Sequence, residues 1–546
     1  MIYTPNGAPA QFAHQADDLT KMWDKPGWAW WWEQGTGKSR EFIDNGGMLY
    51  CEKAIGGMFM IAPNGLHRNF VTQQLPVHLP ADLAEQTKTL FWHSTKSGTK
   101  TWQNTAREFM SWKGLKILSM SYDGLTTDLG KKLAKEFLTS VQCLYGADES
   151  ARIANPGAWL TKVVLGSAPY APFRRVMTGT PVANAPWDVW AQIKFVDNDF
   201  WKQHGLDSIE AMKSQFGEWG TGARRVPIGQ AKRGNSLNAF YELNKTPVEL
   251  RTKYTINGGA AFQIFPKLVT DDDGRPHYRN LNMLRGLLAP IRSRILKKDV
   301  FDLPAKLHTP LEFDMSPAQW KAYRAMVDMG FVLTDDGHVC SASMALTLML
   351  RLQQIACGYL ITDLDASRAY DDDEPRMQPI TPNPRLELLS ELTQDLTHPA
   401  IIWSKFTADV DAICTMLLKQ GKTFARYDGE VDEDERAENE ERFHRGEAQF
   451  FVSKASVGGE GLTLVEAQTA IFYSYSFKLI EYLQASDRPH RWGQTHSVNE
   501  IMLKARGTID EKTVNSLQAK MDMSAAVTGD ELRNWLMAVP AQGTLL

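Results

Sequence analysis

Short apolar runs, each closed by a polar or glycine-rich turn, recur through the first two hundred residues. They are Gly27 to Trp32 (GWAWWW), Gly57 to Pro63, Leu115 to Tyr122, Val141 to Ser150 and Arg174 to Pro181. A strand with one wet face alternates apolar and polar positions, whereas a run apolar at every position suits a strand buried on both faces. With helical stretches between them, these runs predict a parallel sheet covered by helices on both sides. The same pattern returns in Pro399 to Phe406, Lys422 to Gly429, Ala448 to Ser456 and Thr469 to Ser476, with turns at His444 to Glu447 and Gly458 to Gly461. The fold class is therefore α/β, with two parallel-sheet domains. In such sheets ligands sit beyond the carboxyl ends of the strands, where the polar turns fall.

The middle, roughly Asn198 to Pro384, reads as more helical. Ser316 followed by Pro317 marks a capped helix start. Ser341 to Leu360 predicts a long apolar helix that must be buried, and the acidic, proline-rich Asp371 to Pro384 a mobile loop or linker. The expected domains are 1–197, a middle of helical insertions and linker at 198–385, a second α/β domain at 386–512, and a helical tail at 513–546.

Composition narrows the classes. A chain of 546 residues is too long for one ordinary core. The net charge of −4 means that any polyanion is met by a local groove and not by the whole surface. The 17 tryptophans point to large cores and domain packing before aromatic binding surfaces. Five scattered cysteines without a CxxC pair support neither zinc nor disulfides, which fits a reducing cytosol. The first residues lack a signal-peptide pattern and no apolar run is long enough to span a membrane, so a soluble intracellular protein is expected.

Three short segments carry candidate chemistry. In WEQGTGKS (Trp32 to Ser39), Gly35 and Gly37 let backbone amides, Thr36 included, curl around phosphate oxygens ahead of a helix. Lys38 would reach the β- and γ-phosphates and Ser39 would ligate magnesium. Trp32 stands where the full phosphate-loop pattern has glycine. In ADES (Ala147 to Ser150), Asp148 would hold magnesium through water, and Glu149 would orient and deprotonate the attacking water. In QASDRPHRWGQ (Gln484 to Gln494), Arg488 and Arg491 are expected on one face of a helix, where two guanidinium groups could meet an anion. Each segment is weak alone; their order along the chain gives them joint weight.

With these residues in place, the sequence resembles the Swi/Snf-type DNA translocases, the Snf-two branch of helicase superfamily two, over about Gln11 to Lys512 apart from an unmatched stretch near Asn198 to Asn280. His14 and Gln15 match the family's adenine-reading position, Met58 to Phe70 its motif Ia, and Ile117 to Leu125 motif Ib. Asp148 to Asn155 is similar to the acidic motif, Val176 to Asn184 to motif III, and Leu287 to Lys306 to the stretch leading into the second half. Ala455 to Leu464 resembles motif V and Gln484 to Gln494 motif VI. Ser150 and Ala151 replace the family's Ala-His, removing the usual histidine relay between the ATP and DNA sites, and Thr463 stands where Asn is common.

The resemblance implies two RecA-like domains closing on ATP and Mg2+, with Gln15 reading adenine and Gly459 and Gly461 lining the nucleotide. Closure would bring Gln484, Arg488 and Arg491 to the γ-phosphate. Double-stranded or branched DNA would meet Asn64, Arg68, Tyr122, Thr180, Ser404, Lys405 and Ser456 through its phosphates, which carry register without sequence. The cation-rich Gly222 to Gly234 is an auxiliary candidate. No membrane or zinc partner is expected. The segments flanking the motor are short, which points to a compact prokaryotic or phage enzyme in the cytoplasm, acting at forks or in repair. Three alternatives stay open: a strand-separating DNA or RNA helicase, the motor subunit of a defence complex, and a nucleotide-gated scaffold.

Overall fold

The computed structural model describes residues 3–7, 9–231, 234–243, 245–272, 274–333, 339–342, 345–362, 377–459 and 461–531. The described residues of Met1–Val300 and Asp522–Leu532 form one compact unit, and those of Phe301–Met521 another.

The first unit holds a seven-stranded, wholly parallel sheet. Its order is Arg292–Ile295, Gly27–Trp32, Phe173–Met177, Cys143–Asp148, Gly57–Ala62, Leu115–Ser121 and Thr87–Phe91. The continuous apolar runs are buried on both faces because side chains alternate along a strand. Trp28, Trp30 and Trp32 join Met58, Met60 and Leu144 on one side, while Trp31 joins Phe59, Ile61 and Tyr145 on the other. Burying each such ring stabilises the fold by on the order of 3 kcal/mol, so GWAWWW anchors both cores.

A second parallel sheet lies in the second unit, in the order Lys306–Phe313, Val498–Ala505, Thr469–Phe472, Ala400–Ser404, Phe450–Lys454 and Phe424–Tyr427. Ile402, Val452 and Ile471 face one core, and Ile401, Trp403, Phe451 and Phe472 the other. The two expected RecA-like sheets are both present.

Four strands escaped the apolar pattern, and the reasons are physical. Arg292–Ile295, Thr87–Phe91 and Lys306–Phe313 are edge strands, each hydrogen-bonded to one neighbour, so polar residues and Pro310 are tolerated there. Val498–Ala505 is an inner strand whose Glu500 is fully buried. Lys306, His308, Tyr482 and Ser486 all contact that carboxylate. Lys306 and the hydrogen bonds outweigh burial and hold its pKa below the usual carboxylate range.

The middle of the chain is less helical than its composition suggested. Trp219–Val226, Ala260–Leu268 and Lys253–Asn257 form a three-stranded antiparallel sheet in the first unit. Gly258 and Gly259, with φ of 55° and 78°, make the two-residue turn of its hairpin, a conformation glycine adopts at no steric cost. Arg292–Ile295 completes the first sheet and Lys306–Phe313 starts one edge of the second, so the contacts divide the chain after Val300, whereas the motif spacing placed cuts at 197/198 and 385/386.

Two further expectations need correction. The apolar helix is Ala345–Cys357 and is fully buried only from Leu352 onward; Leu348 and Met349 are partly buried against the core, and Leu346 is 75% exposed. Of the expected linker, residues 371–376 lie outside the described residues. Met377–Pro379 pairs antiparallel with Tyr359–Ile361, and Pro384 opens the helix Pro384–Asp395. Ser316 caps Pro317–Met329 as expected, its side chain accepting the amide of Gln319. The final helix, Ile509–Thr528, covers the start of the tail, and residues 532–546 lie outside the described residues. Among the described residues, no helix is long and apolar enough to cross a membrane, and no group of three or more His, Cys, Asp or Glu is placed to hold a metal ion.

Candidate functional site

Since the first sheet is wholly parallel, its strand ends share one edge. The three neighbouring strands Gly27–Trp32, Phe173–Met177 and Cys143–Asp148 deliver three of the sequence motifs there.

After Trp32 the chain turns through Gly35 (φ 81°) and Gly37 (φ 93°) into the helix Lys38–Cys51, whose first amides have no helical acceptor and can face an anion. Lys38 Nζ donates to the carbonyls of Trp32 at 2.8 Å and Glu33 at 3.1 Å, so the ammonium lies back across its own loop. Thr36 Oγ1 donates to Glu33 O at 2.7 Å. Gln15 is fully buried; its Nε2 donates to Gly37 O at 2.9 Å and its Oε1 accepts the Phe12 amide. His14 Nε2 lies 2.9 Å from Thr36 O. Helix Ala13–Met22 thus grips the glycine-rich loop from outside, and Ser39 is half-buried at the second helical position.

Asp148 ends its strand, and its Oδ1 accepts the amide of Glu149 at 3.0 Å. Glu149 has φ 47° and ψ 50°, a left-handed conformation that costs a residue with a side chain about 1–2 kcal/mol. Two partners hold its carboxylate: Gln34 Nε2 donates to Oε1 at 3.1 Å, and Thr178 Oγ1 to Oε2 at 3.4 Å. Glu149 therefore joins the glycine-rich loop after Trp32 and the loop after Phe173–Met177. Gln34 and Thr178 were not singled out from the sequence; their only signal is membership of these two loops.

The expected nucleic-acid contacts divide by exposure. Asn64, Arg68 and Ser456 are exposed, and Asn64 Nδ2 donates to Asp123 Oδ2 at 3.0 Å. Tyr122, Thr180 and Ser404 are buried and do not present their side chains to a nucleic acid in this structure. Tyr122 OH instead donates to Asp148 O at 2.7 Å, and burial pushes its phenol well above the usual value, so it stays a neutral donor. Ser404 Oγ donates to Phe406 O. Lys405 is half-buried: its amide donates to Ser474 Oγ at 2.8 Å, its Nζ to Gln353 Oε1, and burial lowers its pKa. In the cation-rich insertion, Arg224 and Arg225 are exposed on Trp219–Val226, with Arg224 donating to Gln263 Oε1, and Lys232 and Arg233 lie outside the described residues.

In the second unit the expected helix through Arg488 and Arg491 stops early, at Ser486. Pro489 disfavours helical backbone at Arg488 and cannot donate an amide, which ends the helix. Arg488 is 2% exposed, and its guanidinium donates to the carbonyls of Gln484, Leu462 and Gly459. Arg491 Nη1 donates to Thr463 Oγ1 at 3.0 Å. Both arginines therefore fasten this stretch at Gly459, Leu462 and Thr463, where Gly461 has φ 85° and a Cβ on Gly459 would meet Ala455 O at 2.1 Å. Gln484 is buried beside them in sequence.

Two family descriptions match this chain: the SNF2-related domain over residues 84–359 and the helicase conserved C-terminal domain over residues 384–493. Curated relatives include the probable ATP-dependent DNA helicase CHR12 of Arabidopsis thaliana, 26% identical over 94% of this chain and 42% of that protein. The ATP-dependent helicase brm of Drosophila melanogaster is 25% identical over 74% of this chain and 23% of that protein. The chain spans only 18 to 42% of the length of the relatives it matches. A solved Sulfolobus solfataricus SWI2/SNF2 ATPase core in complex with double-stranded DNA is 18% identical, with 96% of this chain and 97% of that one covered and a TM-score of 0.36.

Proposed function

The chain belongs to the SNF2-related family, and from that premise we propose that it hydrolyses ATP to drive translocation along double-stranded DNA. The observation that carries this reading is Glu149, left-handed at its backbone and with its carboxylate held by one bond from Gln34 and one from Thr178. A carboxylate fixed in this way is suited to orienting and deprotonating a water beside a bound phosphate.

ATP is bound by the loop Gly35 to Ser39, with Gln15 at the adenine and Gly459 and Gly461 lining the nucleotide. Ser39 and Asp148 supply hard oxygen donors that suit Mg2+, an ion commonly held by one or two protein oxygens together with phosphates and water. When bound, that ion neutralises phosphate charge. Lys38 binds the phosphates by leaving the Trp32 and Glu33 carbonyls, Glu149 accepts the proton of water, and Gln484, Arg488 and Arg491 stabilise charge in the transition state. An arginine finger is worth about 10³ to 10⁵ in rate. Asn64, Arg68, Lys405 and Ser456 bind DNA phosphates; Tyr122, Thr180 and Ser404 shape the loops beneath them. Remodelling of forks, or displacement of bound proteins in replication, recombination or repair, is the role that follows.

The test is steady-state ATP hydrolysis without nucleic acid and with duplex, branched or single-stranded DNA or RNA, with Lys38→Ala as the blank. Stimulation by duplex or branched DNA is expected. Stimulation by single strands or RNA alone would replace translocation with strand separation, and absence of hydrolysis in every case would leave a nucleotide-gated scaffold.

A further inference from the structure

We propose that Gln192 is a positioning residue for hydrolysis, acting through Ser150 to hold Glu149 in its working conformation and to join it to the loop that carries Thr180. The inference rests on the reading of Glu149 as the group that orients water.

Gln192 lies on the helix Val189–Val196 and is completely buried, as is Ser150. Its Nε2 lies 2.7 Å from Pro181 O and 3.0 Å from Asp188 O. Two carbonyls must both accept, which fixes this atom as the NH2 and turns Oε1 toward Ser150. Ser150 Oγ, 2.9 Å from Oε1, is then the donor. Both amide hydrogens and the amide oxygen are engaged, so the side chain has one satisfied orientation. A buried polar network in that condition specifies a geometry, whereas a partly satisfied one costs stability.

These bonds close a ring. Ser150 follows Glu149 directly. Gln192 carries the connection from Ser150 to Pro181, next to Thr180; the Thr180 amide donates to Thr178 Oγ1 at 3.1 Å, and Thr178 Oγ1 returns to Glu149 Oε2. Asp188 Oδ2 fastens the rest of that loop by accepting the amides of Ala183, Asn184 and Ala185. On the other flank of Glu149, Tyr122 OH holds the Asp148 carbonyl. A left-handed glutamate persists only where its surroundings determine it from several directions. Ser150 provides the hold on its carboxyl-terminal side, and Gln192 is what Ser150 holds on to.

Ser150 and Ala151 stand where the resemblance implies Ala-His, so the ring supplies a connection between the acidic motif and the Thr178–Pro181 loop without a histidine. Movement of that loop on binding DNA would reach Glu149 through two hydrogen-bonded arms, one at its carboxylate and one at its backbone.

The experiment compares Ser150→Ala, Gln192→Met and the double variant of the full chain, with Glu149→Gln in parallel. Each is measured for kcat and KM for ATP with and without duplex DNA, and for thermal midpoint. Ser150→Ala, a small change expected to fold even if Gln192→Met does not, should lower DNA-stimulated kcat about tenfold, because Glu149 would occupy its working conformation less often. KM for ATP should stay within about twofold, since the phosphate loop is untouched. The double variant should be no slower than Gln192→Met alone, because both changes cut one connection. Glu149→Gln should abolish turnover. An inactive Glu149→Gln beside a fully active Ser150→Ala would overturn the inference, as would effects that multiply in the double variant. Normal turnover by Glu149→Gln would instead overturn the reading of Glu149 beneath it.

Discussion

Gln15 Nε2 lies 2.9 Å from the carbonyl oxygen of Gly37, and a methyl group built on Gly37 would sit 2.4 Å from that same nitrogen. The glutamine and the glycine are fitted to each other: the residue expected to read adenine also sets the shape of the phosphate loop. At φ 93° any side chain at position 37 also carries a left-handed penalty of about 1–2 kcal/mol. Gly37→Ala should therefore weaken ATP binding by about tenfold or more while the two sheets stay folded, as read by titration of a fluorescent ATP analogue alongside circular dichroism. Unchanged affinity would show that the loop opens away from Gln15 before nucleotide binds.

Tyr122 separates the sequence expectation from the structure. A phenol contacting DNA phosphates would make Tyr122→Phe weaken DNA binding. A phenol donating to Asp148 O predicts normal DNA affinity with kcat reduced about threefold to tenfold, because one support of the acidic turn is lost. DNA binding by fluorescence anisotropy, measured beside turnover, decides between them.

Arg488 and Arg491 should part company in stability. Both are proposed to act in hydrolysis, so Arg488→Ala and Arg491→Ala should each lower turnover by orders of magnitude with ATP binding nearly normal. Arg488 is also buried, with its guanidinium on three carbonyls, so its removal strands those acceptors. Arg488→Ala should cost about 2–4 kcal/mol in urea unfolding; Arg491→Ala should cost under about 1 kcal/mol. Equal losses would mean that the bonds around Arg488 do not support the Gly459–Thr463 segment.

Asp409 gives a pH dependence with a definite sign. It is buried at the start of helix Thr407–Lys419, with Oδ2 accepting from Ser474 and Oδ1 lacking a partner among the described residues. Burial pushes its pKa up to about 7, against the opposing effects of Ser474 and Arg385. The folded form therefore binds the extra proton between about pH 4 and pH 7, and this group's contribution to stability falls as pH rises through that window. Asp409→Asn should remove that fall, so that stability relative to wild type gains about 2–4 kcal/mol from pH 5 to pH 8 in urea titrations. Parallel pH profiles would show that Asp409 is ionised throughout.

Sequence alone determined the two parallel sheets, because most strands buried on both faces are nearly continuous in apolar residues, as in GWAWWW and AIIWS. It also picked out the motif residues, since phosphate loops and acidic turns have few chemical solutions. Edge strands such as Arg292–Ile295 were illegible, because a strand paired on one side need not be apolar. So was the inner strand around Glu500, whose charge is acceptable only because Lys306 and His308, nearly two hundred residues earlier, and Tyr482 and Ser486, on the preceding helix, converge on it. Tertiary structure alone decided which polar residues face outward. Tyr122, Thr180 and Ser404 carry the right chemistry for phosphates, yet each lies beneath the surface; an unpaired polar group is costly there, and the hydroxyls of Tyr122 and Ser404 donate to internal carbonyls instead. It also decided that Gln34, Thr178 and Gln192 converge around the acidic turn: a hydrogen bond depends on where folding brings two atoms, and Gln34 and Thr178 reach Glu149, and Gln192 reaches Ser150, only once the sheet and the helix Val189–Val196 are assembled.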